Sequence, residues 1–161
     1  MRRIILVGAA ATVATSLAIS GAAAAAPTTK TEHFSFVSTA TGGSGNSYSA
    51  IATGAFTAGG TANLPSGKGT LKFPGGTIKV AAKAGHAKNN FNAKTCLGTS
   101  VQPGTFKIIS GTGVYAGITG SGKYTASFTE VGPIVAGKCS MNGNPVAAQG
   151  SIRASGPVTL P

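Results

Sequence analysis

The sequence predicts an all-β domain, closed into an eight-stranded antiparallel barrel or, as the alternative, folded as a β-sandwich. Three observations predict it. Apolar and polar residues alternate with period two in run after run, as in Phe106 and Ile108 against Thr105 and Lys107, the mark of half-buried strands. Glycine and proline fill the gaps between those runs, where turns need positive φ or a pre-set backbone. No window carries helical periodicity in helix-forming residues, so the domain is expected to be nearly free of helix.

Residues 1–26 read as a secretory signal peptide. Arg2 and Arg3 form its basic start, Ile4 to Ile19 an apolar stretch too short and too rich in small residues for a membrane span, and Gly21 to Ala26 the cleavage region. Cleavage is expected after Ala24 or Ala25 by the general secretory route, ahead of the twin-arginine route that the Arg pair also raises. No cysteine near the cut offers a lipid anchor, and the final GPVTLP is not a hydrophobic tail. Residues 27–161 are then one exported domain, long enough for a real core. Losing Arg2 and Arg3 lowers the formal charge from +11 to +9, and the only carboxylates are Glu32 and Glu130, with no aspartate anywhere. The low content of large aliphatics allows disorder as an option, but a solvating chain has no reason to alternate.

Taken in order, the candidate strands are 31–40, 47–57, 67–73, 76–84, 87–97, 104–110, 121–131 and 146–155. Gly42-Gly43-Ser44-Gly45 separates the first pair and Pro65-Ser66-Gly67 the second, while Pro74-Gly75-Gly76 makes a tight hairpin. The cleanest alternation sets Ile78, Val80, Ala82 and Ala84 against Thr77, Lys79, Ala81 and Lys83. Tyr124, Ala126 and Phe128 repeat the pattern in the seventh run. Short strands at this spacing mean a sandwich or a barrel, and closure hides the edges more completely.

The link between the sixth and seventh runs holds Gly111, Gly113, Gly117, Gly120 and Gly122, with Val114, Tyr115 and Ile118 to pin it. It reads as an ordered, packed connection, with Tyr115 anchored in one end of the core. The same residues imitate nucleotide motifs. Gly111, Gly113 and Ala116 fit a dinucleotide fingerprint with Glu130 near the ribose-acid distance, and Gly117, Gly122 and Lys123 fit a phosphate loop. Neither is supported, because no helix follows to hold an anion and Tyr124 stands where a magnesium-binding hydroxyl belongs. No cofactor is expected.

Cys96 and Cys139 are the only cysteines, an even count that in an oxidising compartment reads as one disulfide. In an eight-stranded meander the end of the fifth strand and the exit of the seventh lie at the same end, which places the two together. A zinc site with His33 and His86 lacks the required spacing.

Gly111-Thr112-Gly113-Val114-Tyr115, followed by Gly120-Ser121-Gly122 and an alternating strand, resembles the glycine signature of small secreted bacterial β-barrels related to the allene oxide cyclase and dirigent barrels. The likeness runs from Gly69 onward. It implies an eight-stranded antiparallel barrel with an apolar cavity. It carries no activity across, since dirigent-type sites use aspartates and no position here matches the cyclase's catalytic residues.

An enzyme, a cyclase or isomerase acting in the cavity, would have to use Glu32 and Glu130. Strand parity puts Glu32 on the face of Phe34 and Phe36, and Glu130 on that of Tyr124 and Phe128, so both can point inward and titrate high. The two fall at opposite rims, too far apart for paired-carboxylate chemistry, and the plainer expectation is a strand-end carboxylate in water or beside a lysine. His33 and His86 have no aspartate to orient them, which disfavours nucleophilic hydrolysis. Lys72, Lys79, Lys83, Lys88, Lys94, Lys107, Lys123 and Arg153 fall mostly on outward parity. They form a solubilising coat or, functionally, an anion-binding surface centred on Lys79, Lys83, Lys107 and Lys123. Specific nucleic-acid readout is not expected, since the chain has no Trp and its other aromatics belong to the core. The expected function is therefore non-enzymatic: a secreted structural or binding barrel, its partner an apolar small molecule inside or an anionic envelope component outside.

Overall fold

The computed structural model describes residues 26–40, 47–140 and 142–161. All but the last residue of the predicted signal peptide, and the Gly42–Gly45 turn, lie outside them. The strands are β1 (Thr28–Ala40), β2 (Ser47–Thr53), β3 (Ala58–Asn63), β4 (Lys68–Phe73), β5 (Gly76–Ala84), β6 (Lys88–Asn92), β7 (Leu97–Gly111), β8 (Thr119–Val131), β9 (Ile134–Val135), β10 (Lys138–Cys139) and β11 (Ala147–Leu160). The only helical element among the described residues is a single 3-10 turn, Gly113–Tyr115.

Every pairing is antiparallel, and the ladder runs β5-β4-β3-β2-β1-β11-β8-β7, with β5 also bonded to β7. That last pairing closes eight strands into a barrel and leaves no free edge in the ring. β6 stands outside the closure. It pairs with Leu97–Val101, the first part of β7, while β5 pairs with Gly104–Gly111, the last part. Pro103 sits where β7 changes partner, and its carbonyl accepts from Gly85 N at 2.7 Å. Its missing N–H faces the junction between β5 and β6, where the ladder is interrupted anyway.

The partition of strands differs from the sequence expectation at three places. The run expected at 47–57 stops at Thr53, because Gly54 takes φ 139 and turns the chain, and an unexpected strand, β3, follows from Ala58. The run expected at 87–97 is the short outer strand β6, not a barrel stave. The strand expected from residue 104 begins at Leu97, since Pro103 marks a change of partner and not a start. The Pro74-Gly75 hairpin is as expected: Phe73 pairs with Gly76, and Gly75 adopts φ 86, with Pro ahead of a positive-φ Gly.

The core is the inward parity of the staves: Phe34 and Phe36 on β1, Tyr48, Ala50 and Ala52 on β2, Leu71 and Phe73 on β4, Ile78 on β5, Phe106 and Ile108 on β7, and Val158 on β11. A disulfide joins Cys96 to Cys139 with Cα atoms 5.1 Å apart. The expected pairing holds, but for a different topological reason. Cys96 lies in the β6–β7 turn and Cys139 in the β9–β10 hairpin, so both belong to connections at the end where β7 begins and β8 finishes. Among the described residues no helix is long and apolar enough to cross a membrane.

Candidate functional site

The two ends of the barrel are built differently. One end gathers the start of β1, the β2–β3 and β4–β5 turns and the glycine link from β7 to β8. Here Tyr115 is 5% exposed, its ring 5.0 Å from Phe56 and 6.2 Å from Phe73, with Phe56 and Phe73 themselves 5.6 Å apart. These three rings plug the opening, and edge-on contacts of this kind add to their area burial. The link is held by backbone: Val114 N donates to Gly75 O at 3.0 Å and Thr112 N to Thr77 O at 2.9 Å. Gly113, at φ 61, must be glycine, because a Cβ there would strike the Gly75 carbonyl. Gly111 ends β7, Gly117 takes φ 84 before buried Ile118, and Gly120 and Gly122 lie in β8, where a Cβ on Gly122 would enter the Phe106 ring. Val114 does not pin the link into the core as expected. It is exposed and lies against Gly75.

Beneath this plug lies Glu32, at 0% exposure. It is neither wet nor beside a lysine. Its Oε2 accepts from Phe56 N at 3.1 Å, while Oε1 is buried with no hydrogen-bond partner. Burial raises its pKa, opposed by the backbone N–H groups of Phe56, Ala55, His33 and Thr53. The same burial, and then the charge of Glu32, raises the Tyr115 phenol. The carboxyl is a peg for the Gly54–Thr57 turn, and so holds Phe56 over the barrel.

The other end opens into a cavity of about 200 Å³. Phe34, Phe36, Leu71 and Phe106 form its floor, Tyr48, Tyr124, Ile152, Ala82 and Ala84 its sides, and Leu64 to Lys68 part of its rim. The space exists because inward side chains shrink along β5, from Ile78 through Val80 to Ala82 and Ala84. Gly104 lies under the Tyr124 ring, whose atoms occupy the place of a Cβ. Burial pushes the Tyr124 phenol up, and burial does the same to Tyr48 against a hydrogen bond from Ser38. Both therefore present neutral hydroxyls to the cavity at ordinary pH.

Beyond the rim β7 and β8 continue with β6 as a shelf. Phe128 lines both the cavity and a depression on the shelf shared with Asn89, Phe91, Gly98, Ser100 and Glu130. Phe91 and Phe128 are each 39% exposed. Glu130 keeps its expected parity but lies past the barrel rim, on the shelf. Glu32 pairs with Gly156 and Glu130 with Ala148 on the same strand, β11, which separates them by roughly 25 Å at about 3.3 Å per residue. Neither carboxyl lines the cavity.

Lys79, Lys83, Lys107 and Lys123 are all exposed on the outer face of β5, β7 and β8. Two further residues share that outer face: Arg153, already expected on outward parity, and His33, which sequence reasoning did not place there. Arg153 and His33 join Lys123 around an outer depression lined with Ser35, Thr53, Thr125 and Ser155. Only strand register brings these together, and nothing in the local sequence reports it. Comparison of the chain with protein-family models, with curated proteins and with solved structures finds no match in any of the three.

Proposed function

We propose that this protein is a secreted, non-enzymatic binding barrel that holds a small, largely apolar molecule in its open end. The observation that carries the reading is the cavity of about 200 Å³ lined by six aromatic residues, Phe34, Phe36, Tyr48, Phe106, Tyr124 and Phe128, above a sealed floor. A dry apolar space of roughly 150 Å³ already accepts a benzene-sized guest, whereas drug-sized ligands occupy about 300–1,000 Å³. The cavity therefore suits one ring or a short branched chain, and a longer ligand would extend past Phe128 onto the shelf. The Tyr48 and Tyr124 hydroxyls and the Gln102 amide supply the few polar contacts such sites use for orientation. The kinship suggested by the glycine signature, to secreted barrels of the allene oxide cyclase and dirigent type, belongs to the same proposal and is supported by the closed eight-stranded ring. The disulfide is consistent with export.

Titration with N-phenyl-1-naphthylamine, a neutral apolar fluorophore, tests the reading. Saturable enhancement at one probe per barrel is expected, and Ala82→Phe, which fills the cavity from β5, should abolish it while the folded β spectrum is retained. Binding that survives Ala82→Phe, or that never saturates, would refute the cavity as the site.

A further inference from the structure

Register places one basic or imidazole side chain on each of five successive strands, and each is the diagonal neighbour of the next. Lys83 on β5 pairs with Thr105, which pairs with Lys123 on β8, which pairs with Ser155, which pairs with His33 on β1. Lys107 on β7 stands opposite Ala81 and Ser121, diagonal to both Lys83 and Lys123. Arg153 on β11 stands opposite Thr125 and Ser35, diagonal to both Lys123 and His33. Diagonal neighbours on a sheet are about 7–8 Å apart, so these five residues form a zigzag girdle. The positions between them are Ala81 and five hydroxyl residues, Thr105, Ser121, Thr125, Ser155 and Ser35. All five girdle residues are exposed. Both carboxylates of the chain are on inward parity, Glu32 under the plug and Glu130 on the shelf, so no acid on these strands' outer face offsets the lysines and the arginine. Like charges held this close repel, and a bound polyanion relieves that repulsion.

We infer that the girdle is a binding site for a flexible polymer of phosphodiester-linked polyols, laid around the barrel across its strands. Its geometry selects the ligand. Five adjacent staves of eight span about half of the circumference of the barrel, so a planar anionic membrane can touch only part of the girdle, whereas a flexible chain can follow it. The serine and threonine hydroxyls between the cations pair with phosphate and polyol oxygens. No aromatic side chain lies in this outer depression with an exposed ring to stack on a base, since Phe34 and Tyr124, which border it, turn their rings to the interior. The site is independent of the cavity and stands or falls without it.

The test is titration of the purified protein with a poly(glycerol phosphate) chain, alongside single-stranded DNA of equal phosphate number and vesicles of anionic phospholipid. With four fixed cations engaged, affinity should fall about 50-fold between 50 and 200 mM salt. Lys123→Ala with Arg153→Ala should weaken binding at least about tenfold at low salt and flatten the salt dependence. Lys88→Ala with Lys94→Ala removes the same charge from the shelf, off the girdle, and should change affinity less than about twofold. Equal losses in the two double variants would overturn the girdle, because net charge alone would then explain binding. Tighter binding to vesicles or to DNA than to the polyol phosphate would overturn the choice of ligand.

Discussion

The closed and open ends of this barrel are made from the same eight staves, and they differ in what the loops contribute and in how side-chain size tapers. At the closed end, Phe56 and Tyr115 arrive from connections, not from strands, and meet Phe73 over the opening. At the open end, the connection between β3 and β4 brings Pro65, Ser66 and Gly67, and the inward residues of β5 have dwindled to alanine. The difference teaches that an alternating pattern decides which residues face inward but not whether the interior is filled. Loop aromatics seal one end, and small strand residues leave the other hollow.

The covalent and packed halves of this contrast can be broken separately. The largest effect is expected from Cys96→Ser with Cys139→Ser, which frees the connections at the open end. The bond closes a loop across a separation of 43 residues, so chain entropy gives a loss of about 3–4 kcal/mol, to be read by urea denaturation. Cavity binding of the fluorophore under native conditions should persist, because the cysteines do not line the cavity. Next comes Tyr115→Ala at the closed end, with an expected loss of about 3 kcal/mol. Its counterpart is Phe128→Ala at the open rim, where the ring is already partly in water and the expected loss is under about 1 kcal/mol. Equal losses at the two aromatic sites would erase the distinction between plug and rim.

Much of this contrast was legible in the alternation, and its limits are physical. Inward parity was readable for Phe34, Phe36, Ile78, Phe106, Ile108, Tyr124 and Ala126, because half-buried strands must alternate. The count of eight staves was also right, though through two compensating errors: β3 was missed, falling between the runs expected at 47–57 and 67–73, and β6 stood in for a stave. β3 begins Ala58-Gly59-Gly60, residues that strands disfavour. Gly60 is there because β4 comes so close that a Cβ would strike the Lys72 carbonyl and the Phe73 ring. The role of Phe56 was hidden for a related reason. It follows Gly54, whose φ of 139 ends the period of two, so its ring reaches the core by a turn that parity cannot follow. The girdle was partly visible, as Lys83, Lys107, Lys123 and Arg153 on outward parity. Its continuation through Arg153 and His33 depends on register across β8, β11 and β1, which pairing determines and local sequence does not.

The smallest and most specific effect is expected at Glu32, where the closed end has a cost that the open end lacks. Burial raises the folded-state pKa of this carboxyl above the value of about 4.3 that it takes in an unfolded chain. The folded protein therefore holds a proton that the unfolded chain releases. The associated stabilisation is complete below the unfolded value and is lost as pH rises through the raised folded one. Thermal stability should fall as pH rises above about 4.3, and Glu32→Gln should flatten that fall, because the amide oxygen can still accept from Phe56 N without carrying a charge. Glu32→Leu removes the charge and the acceptor together. It should also flatten the pH dependence but lower stability throughout, since the Phe56 N–H would then be left unpaired inside the protein. Difference curves against the unsubstituted protein isolate Glu32 from every group that titrates in all three. A Gln variant that tracks the unsubstituted protein across this range would mean that the carboxyl is hydrated in solution, and the plug would then be open where Oε1 now lies sealed.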